Sequence, residues 1–155
     1  MTRIGVFSDT HGVLAALPRA LELAGPLDGF LHLGDFGSDG DMIATQTGLP
    51  YHAVRGNCDF SSALPRQLVV TFEQANILML HGDKYSSTYQ LALLGEQNHC
   101  GAVLFGHTHT PLLAAQGPIL LLNPGSLSRP RYTSDPSFGL LTIEGADVNA
   151  KIFTL

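Results

Sequence analysis

A chain of 155 residues with a formal charge of −5, 45% hydrophobic and 14% charged residues has the make-up of an ordinary globular domain, expected to run as one unit over residues 1–155. It is long enough to bury roughly 68–70% of its unfolded surface without a disulfide staple, and no apolar run approaches the ~18–20 uncharged residues of a membrane-spanning helix. Its eight lysines and arginines are scattered, which argues against an extended nucleic acid as partner and leaves no basic face for a membrane surface.

The N-terminal stretch Met1 to Asp9 lacks the apolar core and cleavage site of a secretory signal, being interrupted by Asp9. A cytoplasmic location is the default expectation, with Cys58 and Cys100 kept as thiols.

In chain order, Arg3 to Phe7 reads as a buried strand running into Ser8-Asp9-Thr10-His11. Val13 to Ala24 then places Leu14, Leu17 and Leu21 at helical spacing, stopped by Gly25-Pro26. Gly29 to Leu33 is a second strand, entering Gly34-Asp35, so the three elements form a βαβ unit. A short helix is expected over Asp41 to Thr47, and Tyr51 to Arg55 is a strand entering Gly56-Asn57-Cys58-Asp59. Val69 to Phe72 and Ile77 to Leu80 suggest a hairpin, the second strand entering His81-Gly82-Asp83. Ser86 or Ser87 caps a helix reaching Gln97 with Leu91 and Leu94 on its apolar stripe, and Val103 to Phe105 enters Gly106-His107-Thr108-His109.

The last third changes character. Leu112 to Ala115, Ile119 to Leu122, Phe138 to Ile143 and Val148 to Phe153 are separated by Gln116-Gly117-Pro118, Asn123-Pro124-Gly125-Ser126 and Glu144-Gly145-Ala146-Asp147, which read as hairpin-like connections. An alternating α/β first half and a strand-rich second half imply an α/β fold with two sheets face to face and helices outside. An apolar sheet edge from these hairpins could pair with a second copy, giving a homo-oligomer.

The chemistry lies at the strand ends. Four of the seven histidines fall in three clusters that also hold Asp or Gly. His107 and His109 are two apart, as are Asp9 and His11, so an extended segment would send both side chains of each pair the same way, as ligands of neighbouring metals require. A single polar residue at a strand end is more often just hydrogen-bonded. Five such clusters at the same kind of terminus, where open α/β sheets hold ligands, make that explanation weak. Carboxylate, imidazole and amide donors without a thiolate set suit manganese, iron, zinc or cobalt.

The motifs Asp9-Thr10-His11, Gly34-Asp35, Gly56-Asn57-Cys58-Asp59, His81-Gly82 and Gly106-His107-Thr108-His109, with Asn123-Pro124-Gly125-Ser126 further on, resemble those of the calcineurin-like metallophosphoesterases, and most closely their small bacterial and archaeal phosphodiesterase branch. The resemblance implies a four-layer αββα sandwich of two mixed β-sheets. It implies that Asp9, His11 and His109 hold one divalent ion, that Asn57, His81 and His107 hold a second, and that Asp35 bridges them. Manganese is favoured. A hydroxide shared by the two ions would then attack a small phosphodiester, the metals supplying the positive charge that the acidic composition lacks. Phosphomonoesters and nucleotides are alternative substrates on the same site. The resemblance extends also to the retromer scaffold subunit, a non-catalytic protein-binding module with an eroded metal site.

The chain departs from the wider superfamily at Cys58, where a leaving-group acid often stands as histidine, and at Asp83, where relatives often have another histidine. A thiol near its ordinary pKa of about 8.5 is a poor acid. Asp59 either positions Cys58, the asparagine loop or a metal-held water, or caps the turn. Asn123, Gly125 and Ser126 either approach the site or form a tight turn, the turn being favoured. Arg55, Arg129 and Arg131 are candidate phosphate contacts; His32 and His52 read as core or partner-facing, and His99 as a helix end.

Overall fold

The computed structural model describes residues 1–60, 62–130 and 135–155. The chain opens with β1 (Thr2–Phe7), α1 (Leu17–Ala24), β2 (Gly29–His32), α2 (Asp39–Thr47) and β3 (Tyr51–Ala53). It continues through β4 (Gln67–Phe72), β5 (Ala75–Leu80), α3 (Thr88–Gln97) and β6 (Ala102–Leu104), and finishes with β7 (Leu112–Gln116), β8 (Ile119–Asn123), β9 (Ser137–Glu144) and β10 (Asp147–Thr154). One sheet has the order β10-β9-β1-β2-β3 and the other β4-β5-β6-β8-β7. Both are mixed: β1, β2 and β3 run parallel, as do β5, β6 and β8, while β9, β10, β4 and β7 join antiparallel.

Three apolar layers hold this together. Ile4, Val6, Leu31, Ile77, Met79, Leu104, Leu122 and Leu141 fill the space between the sheets. Leu91 and Ala92 of α3 pack on Leu78, Val103 and Leu121. On the opposite outer face, Leu17, Ala20 and Ala24 of α1 and Ile43 of α2 cover Phe7, Phe30 and Phe138. The result is the expected αββα stack, in which strands buried on both faces read as continuous apolar runs.

Local chemistry explains the boundaries. The first helix starts at Leu17, not Val13, because Pro18 lacks an amide donor and fits only the first turn. Gly25, at φ 71°, ends it with its N–H on the Leu21 carbonyl at 3.1 Å. The second helix reaches back to Asp39, where Asp39 and Asp41 place negative charge on the positive end of the helix dipole. Ser87 caps α3 by accepting from the Gln90 N–H at 3.2 Å.

One expected hairpin is not one. The chain at Asn123-Pro124-Gly125-Ser126 leaves β8, which pairs with β6 and β7, and leads to β9 in the other sheet. The turns at Gly117 and Gly145, both at positive φ, are true hairpins. Among the described residues, no helix is long and apolar enough to cross a membrane.

Leu104 has no exposed surface and sits between the sheets. Leu104→Ala is expected to destabilise the chain by about 2–5 kcal/mol, read as a lower denaturant midpoint at unchanged slope.

Candidate metal centre

The loops that leave β1, β2, β3, β5 and β6 meet at one edge of the sandwich. Backbone bonds stitch them together: the Asp9 N–H donates to the Gly34 carbonyl at 3.0 Å, and the Gly106 N–H to that of His81 at 2.9 Å. The polar residues do not lie on extended chain as the two-residue spacing suggested. Asp9, His11, Asp35, His107 and His109 all have positive φ, between 48° and 71°. Asp and His are among the side chains that tolerate this region best. Each motif therefore turns sharply, and its side chains converge through bends rather than strand alternation.

The convergence is close. One ligand atom from each of Asp9, His11, Asp35 and His109 lies within 4.8 Å of all the others. His109 Nε2 is 3.2 Å from Asp9 Oδ1 and 3.3 Å from His11 Nε2. The two oxygens of Asp35 face different histidines: Oδ2 is 3.5 Å from His11 Nε2 and Oδ1 is 3.4 Å from His81 Nε2. The His107 ring packs edge-on to that of His81 at 5.2 Å, and its Nδ1 is 3.2 Å from Asn57 Oδ1. All seven of the expected ligands thus stand in one continuous group.

The polar balance of this group calls for a cation. Among the described residues, Asp9 Oδ1 and His81 Nε2 are buried without a hydrogen-bond partner, a costly state unless something else satisfies them. Second contacts aim the rings inward. His81 Nδ1 donates to the Leu33 carbonyl at 2.8 Å and His109 Nδ1 to that of Arg129 at 2.5 Å, which leaves each Nε2 lone pair facing the carboxylates. Burial alone would raise the Asp35 pKa, but the facing His81 ring and the Cys58 amide hold it well below the usual carboxylate range. Burial works against a charge on His81 too, yet Asp35 and Asp9 push its pKa up. The donor set, two carboxylates, four imidazoles and an amide oxygen, fits divalent transition ions.

A surrounding layer fixes these groups. Asp9 Oδ2 accepts from the Ser8 hydroxyl at 2.6 Å and the His107 N–H at 3.1 Å. Ser126 and Ser128 hydroxyls donate to the carbonyls of Asp9 and Thr10 at 2.8 and 2.7 Å. Asn123 Nδ2 donates to the Gly106 carbonyl and to Thr108 Oγ1, both at 3.0 Å. The Asn123 to Ser126 turn is therefore structural, as favoured, but what it builds is the site. His32 is fully buried. Its Nδ1 accepts from the Gly34 N–H and its Nε2–H donates to Thr10 Oγ1 at 2.9 Å, joining the first two motifs. Burial lowers its pKa to about 4, so the ring is neutral. Ser8, His32 and Ser128 were not legible as site residues because their partners lie across the fold.

Of the alternatives open for Asp59, its hydrogen bonds match holding the asparagine turn. One of its oxygens accepts from the Gly56 N–H at 2.7 Å and the other from the Phe36 and Gly37 amides at 2.8 and 3.2 Å, clamping the asparagine turn to the Asp35 loop. An open cavity of about 320 Å³ is lined by His11, Asp35, Asn57, Cys58, His107 and His109, with Arg129 at its rim. Burial, then the Asp35 charge, pushes the Cys58 thiol up, so it stays protonated. Arg55 turns elsewhere, its guanidinium near the Ser62 carbonyl at 3.4 Å. Arg131 lies outside the described residues. His52 is exposed on the edge strand β3, and His99 sits just beyond α3 at φ 56°.

A two-sheet sandwich with this cluster at its strand ends defines a metal-dependent phosphoesterase class. The chain belongs to the calcineurin-like phosphoesterase superfamily, whose domain profile matches residues 2–146. It is 34% identical to a probable metallophosphoesterase of Methanothermobacter thermautotrophicus over 96% of this chain and 90% of the relative. It is 30% identical to the phosphodiesterase YfcE of Escherichia coli over 91% of this chain and 88% of that one. The solved structure of Vps29 from Entamoeba histolytica with zinc superposes with a TM-score of 0.82 at 24% identity, covering 99% of this chain and 92% of that one, and shows the shared fold.

Gly56 makes the tightest approach to the cluster: a Cβ there would meet Asp35 Oδ1 at 2.2 Å and the Asp35 amide nitrogen at 2.5 Å. Gly56→Ala is expected to weaken metal binding by about 10–100-fold, the range for disturbed outer contacts. Calorimetric titration, beside a thermal melt to verify folding, measures it.

Proposed function

We propose that the chain hydrolyses a small phosphodiester with two divalent ions, one held by Asp9, His11 and His109, the other by Asn57, His81 and His107, with Asp35 between them. The observation that carries this reading is the division of the Asp35 carboxylate, one oxygen toward His11 and the other toward His81. A shared carboxylate lowers the repulsion between dications about 3.5–4 Å apart. When bound, such a pair supplies an acidified water near neutral pH and positive charge for the phosphoryl oxygens. The donor set suits manganese, iron, zinc or cobalt, of which the family resemblance favours manganese.

The chain's own residues then orient and discriminate. Asn57 and His107 hold one wall of the cleft, and Arg129 at the rim offers a guanidinium for a non-attacked phosphate oxygen. Cys58 lines the cleft beside the ester, and its raised pKa makes it a poor acid for the leaving group. A cytosolic setting would keep both Cys58 and Cys100, free in the structure, as thiols. The phosphodiesterase reading over phosphomonoesterase draws on the name of the YfcE relative. The retromer-type scaffold reading has a shared fold behind it, whereas seven ligand-type side chains gathered around one shared carboxylate favour catalysis.

Stripping the protein with chelator and restoring manganese is expected to abolish and then recover hydrolysis of bis(4-nitrophenyl) phosphate. Asp35→Asn should remain at background even at saturating manganese; normal turnover by that variant contradicts the bridge. Cys58→Ala should keep most activity, a loss well short of the ~10²–10⁴ expected on removing a general acid. Initial rates with the same diester measure this.

A further inference from the structure

Beside the metal cleft lies a second cavity of about 310 Å³, at the lower end of the ~300–1,000 Å³ typical of small-molecule sites. His107 forms a wall of both cavities. The floor of the second is apolar, made by Leu91 and Phe105, 4% and 6% exposed, with Tyr85 and Leu112 beside them. The hydroxyl-bearing turn before α3, around Ser86, forms its rim. Among the described residues lining it, none is Asp, Glu, Lys or Arg. In a chain with charge on 14% of its residues, an uncharged recess against the metal cluster is not ordinary solvated surface.

Backbone sets the shape of the recess beside the shared wall. Gly82, at φ 95°, follows His81, and a Cβ on it would meet the Phe105 Cβ at 3.3 Å. The Gly106 N–H on the His81 carbonyl ties the two loops that carry the shared wall. The recess is thus separated from the metal cleft by no more than the His107 ring, which lines both.

Resting on the reading of the site as a metal-dependent phosphoesterase, we infer that this recess binds one ester substituent of the substrate and selects an uncharged, planar-ring alcohol, aryl or nucleoside. Tyr85 and Phe105 offer ring faces and edges for stacking, the leucines a dry floor, and the serine turn a polar edge for ring heteroatoms or hydroxyls. A charged arm such as a phosphocholine or phosphoserine head would find no countercharge there.

The test uses the manganese-loaded protein and competitive inhibition of bis(4-nitrophenyl) phosphate hydrolysis. The inhibitors are methylphosphonate, phenylphosphonate and thymidine 5′-monophosphate, the last two separating aryl from nucleoside preference. At least one ring-bearing inhibitor should bind about tenfold tighter than methylphosphonate, the gain of one good ring contact. Ser86→Trp, which fills the rim, and Tyr85→Ala, which removes an aromatic wall, should each erase that gain while leaving methylphosphonate inhibition unchanged. Turnover without any ring preference, or a preference untouched by both variants, overturns the recess assignment alone. Absence of metal-dependent turnover overturns the site reading on which it rests.

Discussion

Two buried carboxylates surrounded by imidazoles set the terms for the rest of this molecule. Asp9 is fully buried and Asp35 nearly so, and a carboxylate taken out of water must be matched by cations or donors. Asp9 Oδ2 is matched by Ser8 and the His107 amide, and Asp35 Oδ1 by the Cys58 amide. Asp9 Oδ1 faces the His81 Nε2 atom at 3.8 Å and the His109 Nε2 atom at 3.2 Å. That concentration of carboxylate and imidazole groups is able to hold a metal ion.

Reaching this geometry requires unusual backbone. Five of the ligand residues occupy the left-handed region, where a non-glycine residue costs of the order of 1 kcal/mol or more. The surrounding structure offsets that cost with contacts fixed elsewhere: Ser126 and Ser128 on the Asp9 and Thr10 carbonyls, His32 between Thr10 and Gly34, Asp59 on three amides, and Asn123 under the Gly106 turn. These in turn depend on both sheets holding register, since β8 delivers Asn123 from one sheet and β1 delivers Asp9 from the other. Site and sandwich are one mechanical unit.

Much of this was visible in the letters because parallel strands buried on both faces are plain apolar runs, and the polar clusters at their ends break those runs abruptly. The residues that converge at the strand ends were legible for the same reason. What escaped was conformation and distance. Nothing between His107 and His109 announces two left-handed residues, and Pro18 outweighed the Leu14 periodicity in setting where α1 begins. Asn123 to Ser126 carries every mark of a hairpin turn, and only the pairing of β8 and β9 in different sheets shows a crossover. Ser126 contacts Asp9 across 117 residues of chain, a relation that local pattern cannot encode. For Asp59 the letters left positioning and turn-capping open, and only the fold shows its oxygens on the Gly56, Phe36 and Gly37 amides.

The claim at the centre is that one carboxylate joins two ions in a single cage. Manganese titration of the chelator-stripped chain, followed by electron paramagnetic resonance, addresses it most directly. The account predicts two ions per chain at saturation and the spectrum of a spin-coupled pair. A single bound ion, or two giving only the signal of isolated manganese, would contradict it.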